Sequence, residues 1–325
     1  MNNNCRVIQV HRDRYLVRSG EEETYCVLTG NLRFREEYPV VGDYVNITEN
    51  PYGDSLIREI LPRKTVFCRP DRSGHADGFA KTLQVQPLIA NIDYVFIITS
   101  LNRDFSTGRI ARYAAMAVSG GAVPVAVLTK ADLCPDPGEM EAKAAALSGD
   151  LKTIVISSRT GFGLERLREY FRPGVTIALL GSSGAGKSTL INTLAGQEIM
   201  RTGEIREEDS KGRHTTTHRE LIEVDGVSLI DTPGLRELGV IDAGEGIAGT
   251  FADIADLVSR CAFSDCTHRN EPGCAVRRAL EDGSLTPERW RMYSRLEEEN
   301  RRSSVRKNER MMKIAMERRK IPRKK

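Results

Sequence analysis

The chain opens with short runs in which apolar and polar positions alternate. Cys5–Val10, Arg14–Arg18, Thr24–Leu28, Asp43–Thr48 and Leu56–Ile60 follow this pattern, and turn residues separate them at Ser19-Gly20, Thr29-Gly30 and Gly42-Asp43. A period of two puts every second side chain on one face of a strand. Five short strands joined by turns therefore predict a small β-barrel over residues 1–65. An OB-type barrel fits, and an SH3-like barrel is the alternative, because periodicity does not separate the two. The pattern lapses over 66–91, where the polar run Arg69–Gly74 reads as a linker or mobile loop.

From Ile92 the pattern changes. Near-continuous apolar runs (Tyr94–Thr99, Val123–Leu128, Thr153–Ser157 and Val175–Leu180) alternate with the helical segments Arg109–Val118, Glu139–Leu147 and Leu164–Tyr170. Strands of this kind belong to a parallel sheet covered by helices on both faces. Leu221–Val224 and Val227–Ile230 read as a further strand pair, which closes an α/β domain over 92–240. After Gly234 the strand signal ends. A mostly helical region follows over 241–300, interrupted by a Cys/His stretch, and a basic tail occupies 301–325. The predicted protein is multi-domain: an N-terminal OB-like β-barrel, a central α/β domain and a C-terminal helical domain.

Charge sharpens this outline. Arg301–Lys325 holds twelve Lys/Arg and two Asp/Glu, a net of +10 in a chain whose total is +3, so the remainder is acidic at −7. A basic extension on an acidic body suggests a polyanionic partner. No run approaches the ~20 apolar residues that span a bilayer, and the polar start Met1–Asn4 is not a secretory leader. A cytoplasmic protein with no membrane partner is expected, with a monomer as the default. Seven cysteines, four of them scattered, do not form a disulfide framework.

Candidate chemistry begins at Gly181-Ser182-Ser183-Gly184-Ala185-Gly186-Lys187-Ser188, which fits G-x-x-x-x-G-K-[ST] between a strand and a helix. Backbone N–H groups of such a loop cradle phosphates, the lysine reaches the β- and γ-phosphates, and the Ser188 hydroxyl is suited to Mg²⁺. Thr189 follows in the first helical turn. Asp231-Thr232-Pro233-Gly234 lies at the end of an apolar strand, where Asp231 can serve Mg²⁺ and the Gly234 N–H the γ-phosphate. Between them, Gly212–Thr217 offers a threonine to Mg²⁺; Thr216 is the candidate and Thr215 the alternative.

Thr129-Lys130-Ala131-Asp132 follows the strand Val123–Leu128. A carboxylate at Asp132 accepts from the N1–H and exocyclic amine of guanine, and an adenine would leave it desolvated and unpaired. Lys130 can lie along the base, and Ser157-Ser158 can back the ring. The usual first residue is Asn; Thr129 offers fewer hydrogen-bonding groups. The ligand expected is therefore GTP. The base motif precedes the phosphate loop, the reverse of the usual order, so the domain reads as a circularly permuted GTPase.

Cys261-x4-Cys266-x-His268-x5-Cys274 supplies three thiols and an imidazole within fourteen residues, a full Cys₃His shell for one structural Zn²⁺. Together with Pro39–Asp43, the permuted motif order and Gly212–Thr217, this stretch resembles the small-ribosomal-subunit-dependent GTPases of the RsgA type over nearly the whole chain. The resemblance implies an OB-fold, a permuted GTPase domain and a zinc domain. It also implies binding to the small ribosomal subunit and its rRNA in late maturation, with GTP phosphohydrolase activity stimulated by the subunit. Leu235 stands where many GTPases carry a water-orienting Gln, and the resemblance points to His214 as the catalytic group. The long basic tail departs from the family pattern. The alternative reading is a nucleotide-gated RNA-binding module with negligible hydrolysis. An ATP-dependent kinase is a third reading, disfavoured by Asp132.

Overall fold

The computed structural model describes residues 2–70, 85–102, 104–148, 150–200, 219–231 and 244–320. The N-terminal strands are β1 (Asn2–Val10), β2 (Tyr15–Ser19), β3 (Glu22–Leu28), β4 (Tyr44–Thr48) and β5 (Ser55–Ile60), with a short helix α1 (Gly30–Phe34) between β3 and β4. They pair in the order β1-β2-β3-β5-β4, and β1 also pairs with β4, so the barrel closes. The parallel β3–β5 pairing decides for the OB arrangement over the SH3-like one. Alternation does the packing: Cys5 and Val7, Tyr15 and Val17, Cys26 and Leu28, and Val45 and Ile47 all point into the barrel core.

The segment expected to be a linker is ordered at both ends. β6 (Val66–Pro70) and β7 (Val85–Ala90) form a two-stranded antiparallel sheet. Phe67, Leu88, Ile89 and Ala90 are buried, and this apolar content outweighs the polar run that suggested a loop. Residues 71–84 lie outside the described set.

The central sheet contains β8 (Tyr94–Ser100), β9 (Val123–Thr129), β10 (Lys152–Val155), β11 (Thr176–Gly181), β12 (Glu220–Val224) and β13 (Val227–Asp231). Its order is β10-β9-β8-β11-β13-β12, parallel except for β12. Alternate side chains serve opposite faces. Val95, Ile97, Ala126, Leu128, Ala178 and Leu180 pack under the helix α2 (Thr107–Ser119). Phe96, Ile98, Val125, Val127, Ile177 and Leu179 face Leu190 and Ile191 of α5 (Lys187–Ala195). Between these helices in sequence come α3 (Pro137–Ala145) and the short turn α4 (Leu164–Leu167). The central strand β11 is flanked by β8, which precedes it in the chain, and β13, which follows it; this is the permuted connection.

β1 also pairs with β12 at Gln9↔Glu220, so barrel and central sheet share one eleven-stranded sheet. The half-buried Arg6 crosses the seam: its guanidinium donates to Thr176 Oγ1 (2.9 Å) and Asn91 O (3.2 Å) and lies 4.3 Å over the Tyr44 ring.

The C-terminal helices are α6 (Gly244–Thr250), α7 (Ala252–Ser259), α8 (Ala275–Glu281) and α9 (Pro287–Lys320). At 34 residues α9 is roughly 50 Å long, and it passes through Arg301 without a break. Ile247, Phe251, Ile254, Val276 and Leu296 join the α2 side of the central core. Among the described residues no helix is long and apolar enough to cross a membrane.

Candidate functional site: a nucleotide edge and a Cys₃His knuckle

Because β8, β9, β10, β11 and β13 run parallel, their carboxyl ends share one edge of the sheet, where open α/β sheets bind ligands. β11 delivers the phosphate loop to this edge. A side chain at Gly181 would bring its Cβ to 2.4 Å from Ile98 O, and Gly184 and Gly186 adopt φ of +75° and +97°, so the loop needs glycine at these turns. The carbonyls close on the lysine: Lys187 Nζ donates to Gly181 O at 2.8 Å and to Ser182 O at 2.9 Å. Ser183 and Gly184 are exposed, Ala185 is buried, and Ser188 and Thr189 occupy the first turn of α5. β13 delivers Asp231, buried at 6% exposure as its last residue and in register with Leu179.

β9 delivers the second motif to the same place. The buried Thr129 donates through Oγ1 to Ala185 O at 2.6 Å. Lys130 takes a left-handed backbone (φ 59°), which turns its side chain back over the loop, where Nζ donates to Gly184 O at 2.7 Å. The Ala131 N–H is held by Ile156 O at 3.1 Å. Asp132 accepts from Ser157 Oγ at 2.6 Å, and Arg159 Nη1 lies 3.8 Å from its other oxygen. Ser158 is the next residue of that turn. Thr129–Asp132, Ser157 and Gly181–Lys187 thus form one continuous surface, although about fifty residues separate the motifs in sequence. His214, Thr215, Thr216 and Gly234 lie outside the described residues.

A second cluster forms between α7 and α8. Cys261 Sγ and Cys274 Sγ each lie 3.5 Å from His268 Nδ1 and 3.9 Å from each other, and with Cys266 the four donor atoms fall within 4.8 Å. A tetrahedral shell with bonds of about 2.3 Å to sulfur and about 2.0 Å to nitrogen has edges of roughly 3.5–3.8 Å, so the donor set fits Zn²⁺. The chain bends tightly to achieve this: His268 has φ 60°, and a Cβ on Gly273 would lie 2.9 Å from the Ala262 methyl. Glu271 organises the turn. Its carboxylate accepts from the backbone N–H groups of Thr267, Arg269 and Asn270 and from the Thr267 hydroxyl, which pulls its pKa down to about 2, the hydroxyl bond being the largest cause. The single tryptophan, Trp290, meets the His268 ring edge-on at 5.3 Å.

Residues 60–241 match the RsgA GTPase family. The chain is 44% identical over 299 residues to the small ribosomal subunit biogenesis GTPase RsgA 2 of Lactiplantibacillus plantarum, covering 90% of this chain and 82% of the relative. It is also 44% identical over 310 residues to the RsgA of Opitutus terrae, covering 91% and 83%. This chain belongs to the RsgA GTPase family. Among solved structures it is similar to YjeQ from Thermotoga maritima (TM-score 0.67, 26% identity, 90% of this chain and 96% of the other). It is likewise similar to YloQ, described as a circularly permuted GTPase (TM-score 0.64, 26% identity, 91% and 94%).

Membership of the RsgA GTPase family makes the chain a GTP-hydrolysing enzyme. Within that frame the threonine at 129 is informative. Its single hydroxyl is taken up by the Ala185 carbonyl, so it ties the two motifs together. The sequence reading passed over Asp104, whose carboxylate accepts from Ser182 Oγ in the phosphate loop. The available signal was its place just beyond β8, at the edge where the other motifs gather.

Proposed function

We propose that one GTP lies along this edge, with guanine at Asp132 and its phosphates in Gly181–Ser188, and that its hydrolysis drives a step in late maturation of the small ribosomal subunit. The observation that carries this is the pair of contacts from Thr129 and Lys130 to Ala185 O and Gly184 O, which join base motif and phosphate loop into one site. Asp132 selects guanine because adenine lacks the N1–H and exocyclic amine that would donate to this carboxylate. Ser157 orients that carboxylate. Mg²⁺, which neutralises charge on the transferring phosphate, would be held by Ser188, Asp231 and Thr216. With Leu235 unable to bond a water, His214 is the residue proposed to position the nucleophile. Cys261, Cys266, His268 and Cys274 would hold a structural Zn²⁺ in a closed shell that leaves no position for chemistry.

The partner is proposed to be rRNA of the small subunit. Phe34 and Tyr38 stand 88% and 53% exposed on the barrel, close in sequence to Arg33 and Arg35, a pairing of stacking faces with phosphate-binding charge. The basic C-terminal end of α9 adds salt-dependent affinity. This role places the protein in the cytoplasm, and we take it to act as a monomer.

Single-turnover hydrolysis with and without small subunits tests the reading, alongside competition between GTP and ATP. The expected result is stimulation by the subunit and exclusion of ATP. His214→Ala should retain GTP binding and lose the stimulated rate. Equal binding of ATP and GTP by the wild type would overturn the nucleotide assignment.

A further inference from the structure

The phosphate loop is held on two flanks. From β9, Thr129 and Lys130 hold the carbonyls of Ala185 and Gly184. On the other flank Ser182, 7% exposed, donates through its hydroxyl to Asp104, in the loop between β8 and α2. The second carboxylate oxygen of Asp104 accepts from Arg109 Nη1 at 2.6 Å, in the first turn of α2. The Asp104 N–H is itself bonded to Asn102 Oδ1 (3.2 Å), which also accepts from Ser100 Oγ (2.8 Å). The carboxylate is thus oriented from both sides before it reaches Ser182. The carbonyl of Ser182 in turn accepts from Lys187 Nζ, so a shift of this residue moves the ammonium that faces the phosphates.

We infer that Asp104 is a positioning residue for nucleotide binding. It fixes Ser182, and through Ser182 the phosphate loop and Lys187, in the conformation that receives the phosphates. This rests on the reading of Gly181–Ser188 as the phosphate cradle. Charge makes the contact strong, because a hydrogen bond to a carboxylate exceeds one between neutral groups. Asp104 lies on the wall of an open cavity of 570 Å³ between α2 and α9. Truncating it therefore removes the bond without emptying a packed core.

The cradle holds the phosphates of GDP and GTP alike, so loosening it shows first as weaker binding and a raised KM. In the full-length protein, Asp104→Ala should weaken GDP and GTP about tenfold each, read as Kd and as a raised KM. Ser182→Ala should produce a loss of similar size, and the double variant should be no worse than Asp104→Ala, because both remove one contact. Arg109→Met should give a smaller loss of the same kind. A purely structural role would instead lower kcat through a smaller active fraction with KM unmoved, and that result, or additive losses in the double variant, overturns the inference. Lys187→Ala serves as the control. If it binds GTP normally, the cradle reading fails; if it does not and Asp104→Ala binds as wild type, only the Asp104 assignment fails.

Discussion

The barrel and the Cys₃His region are attached to the same central domain in opposite ways. The barrel has its own core, built from β1–β5, and joins the central sheet through backbone pairing at Gln9↔Glu220 and the half-buried Arg6. The C-terminal helices contribute to the central core itself, on the α2 face, and their loop is shaped by the four metal-type ligands. Each junction uses a glycine for close approach. A Cβ on Gly42 would come 2.1 Å from Ala90 O, and one on Gly246 2.0 Å from Ala115 O. The same device thus serves the packing of the barrel against β7 in one place and a helix crossing in the other. The barrel should move with the sheet as one body, while the C-terminal region should depend on α2 and on the metal proposed for its Cys₃His cluster.

The sharpest way to break this contrast is to chelate the Zn²⁺ proposed for the Cys₃His cluster. Structural Zn²⁺ sites contribute about 10–16 kcal/mol of apparent binding energy in small domains. Chelation at pH 7 should therefore unfold the α7–α8 knuckle while leaving barrel and sheet intact. Trp290, packed on His268, reports this directly. A large change in its emission with little loss of strand signal is expected; simultaneous loss of both would mean the two regions are not separable.

Next in size is Gly42→Ala. Its φ of +93° and its clash with the Ala90 carbonyl combine two penalties, each of roughly 1–3 kcal/mol. The cost should appear in the main unfolding transition, because Val41 and Ile89, the neighbours of Gly42 and Ala90, belong to the central core. Gly246→Ala meets only the helix contact and should cost about 1–3 kcal/mol, confined to the transition seen by Trp290. Urea titrations followed by Trp290 emission and by far-UV circular dichroism distinguish the two. If both variants shift both signals equally, the proposed difference in attachment is wrong.

How much of this was legible in the sequence follows from how local each feature is. The barrel strands declare themselves by alternation, the phosphate loop by spacing between strand and helix, and the knuckle by four ligands in one short stretch. Helix α1 spans five residues with only Leu32 buried, too short to show a helical period. The parallel β3–β5 pairing, which separates OB from SH3-like barrels, joins segments far apart in the chain and leaves no local trace. The hairpin of β6 and β7 was hidden because a polar run between the strands dominated the window. Thr129 was legible as a departure from Asn, but its partner Ala185 was not, since that contact exists only once β9 and β11 lie in one sheet.

The smallest expected effect probes the latch between the C-terminal region and α3. Arg289 pairs with Asp253 at 2.6 and 2.8 Å, donates to the carbonyls of Ala146 and Leu147 beyond α3, and lies 4.9 Å over the Phe251 ring. The hydrogen bond from Arg289 holds the Asp253 carboxyl below its ordinary 3.8. A depressed carboxylate contributes stability above its unfolded pKa and loses it as pH falls through the folded one. The contribution is therefore complete at pH 7, and the measurement belongs there. Asp253 is half exposed, so Asp253→Asn should cost under about 1 kcal/mol. Arg289→Met also unhooks the two carbonyls and should cost about 1–2 kcal/mol more, read again by Trp290. Equal losses for the two variants would mean the salt bridge alone holds the latch; a larger loss for Arg289→Met locates it at the end of α3, one helix away from Asp132, the residue proposed to read the base.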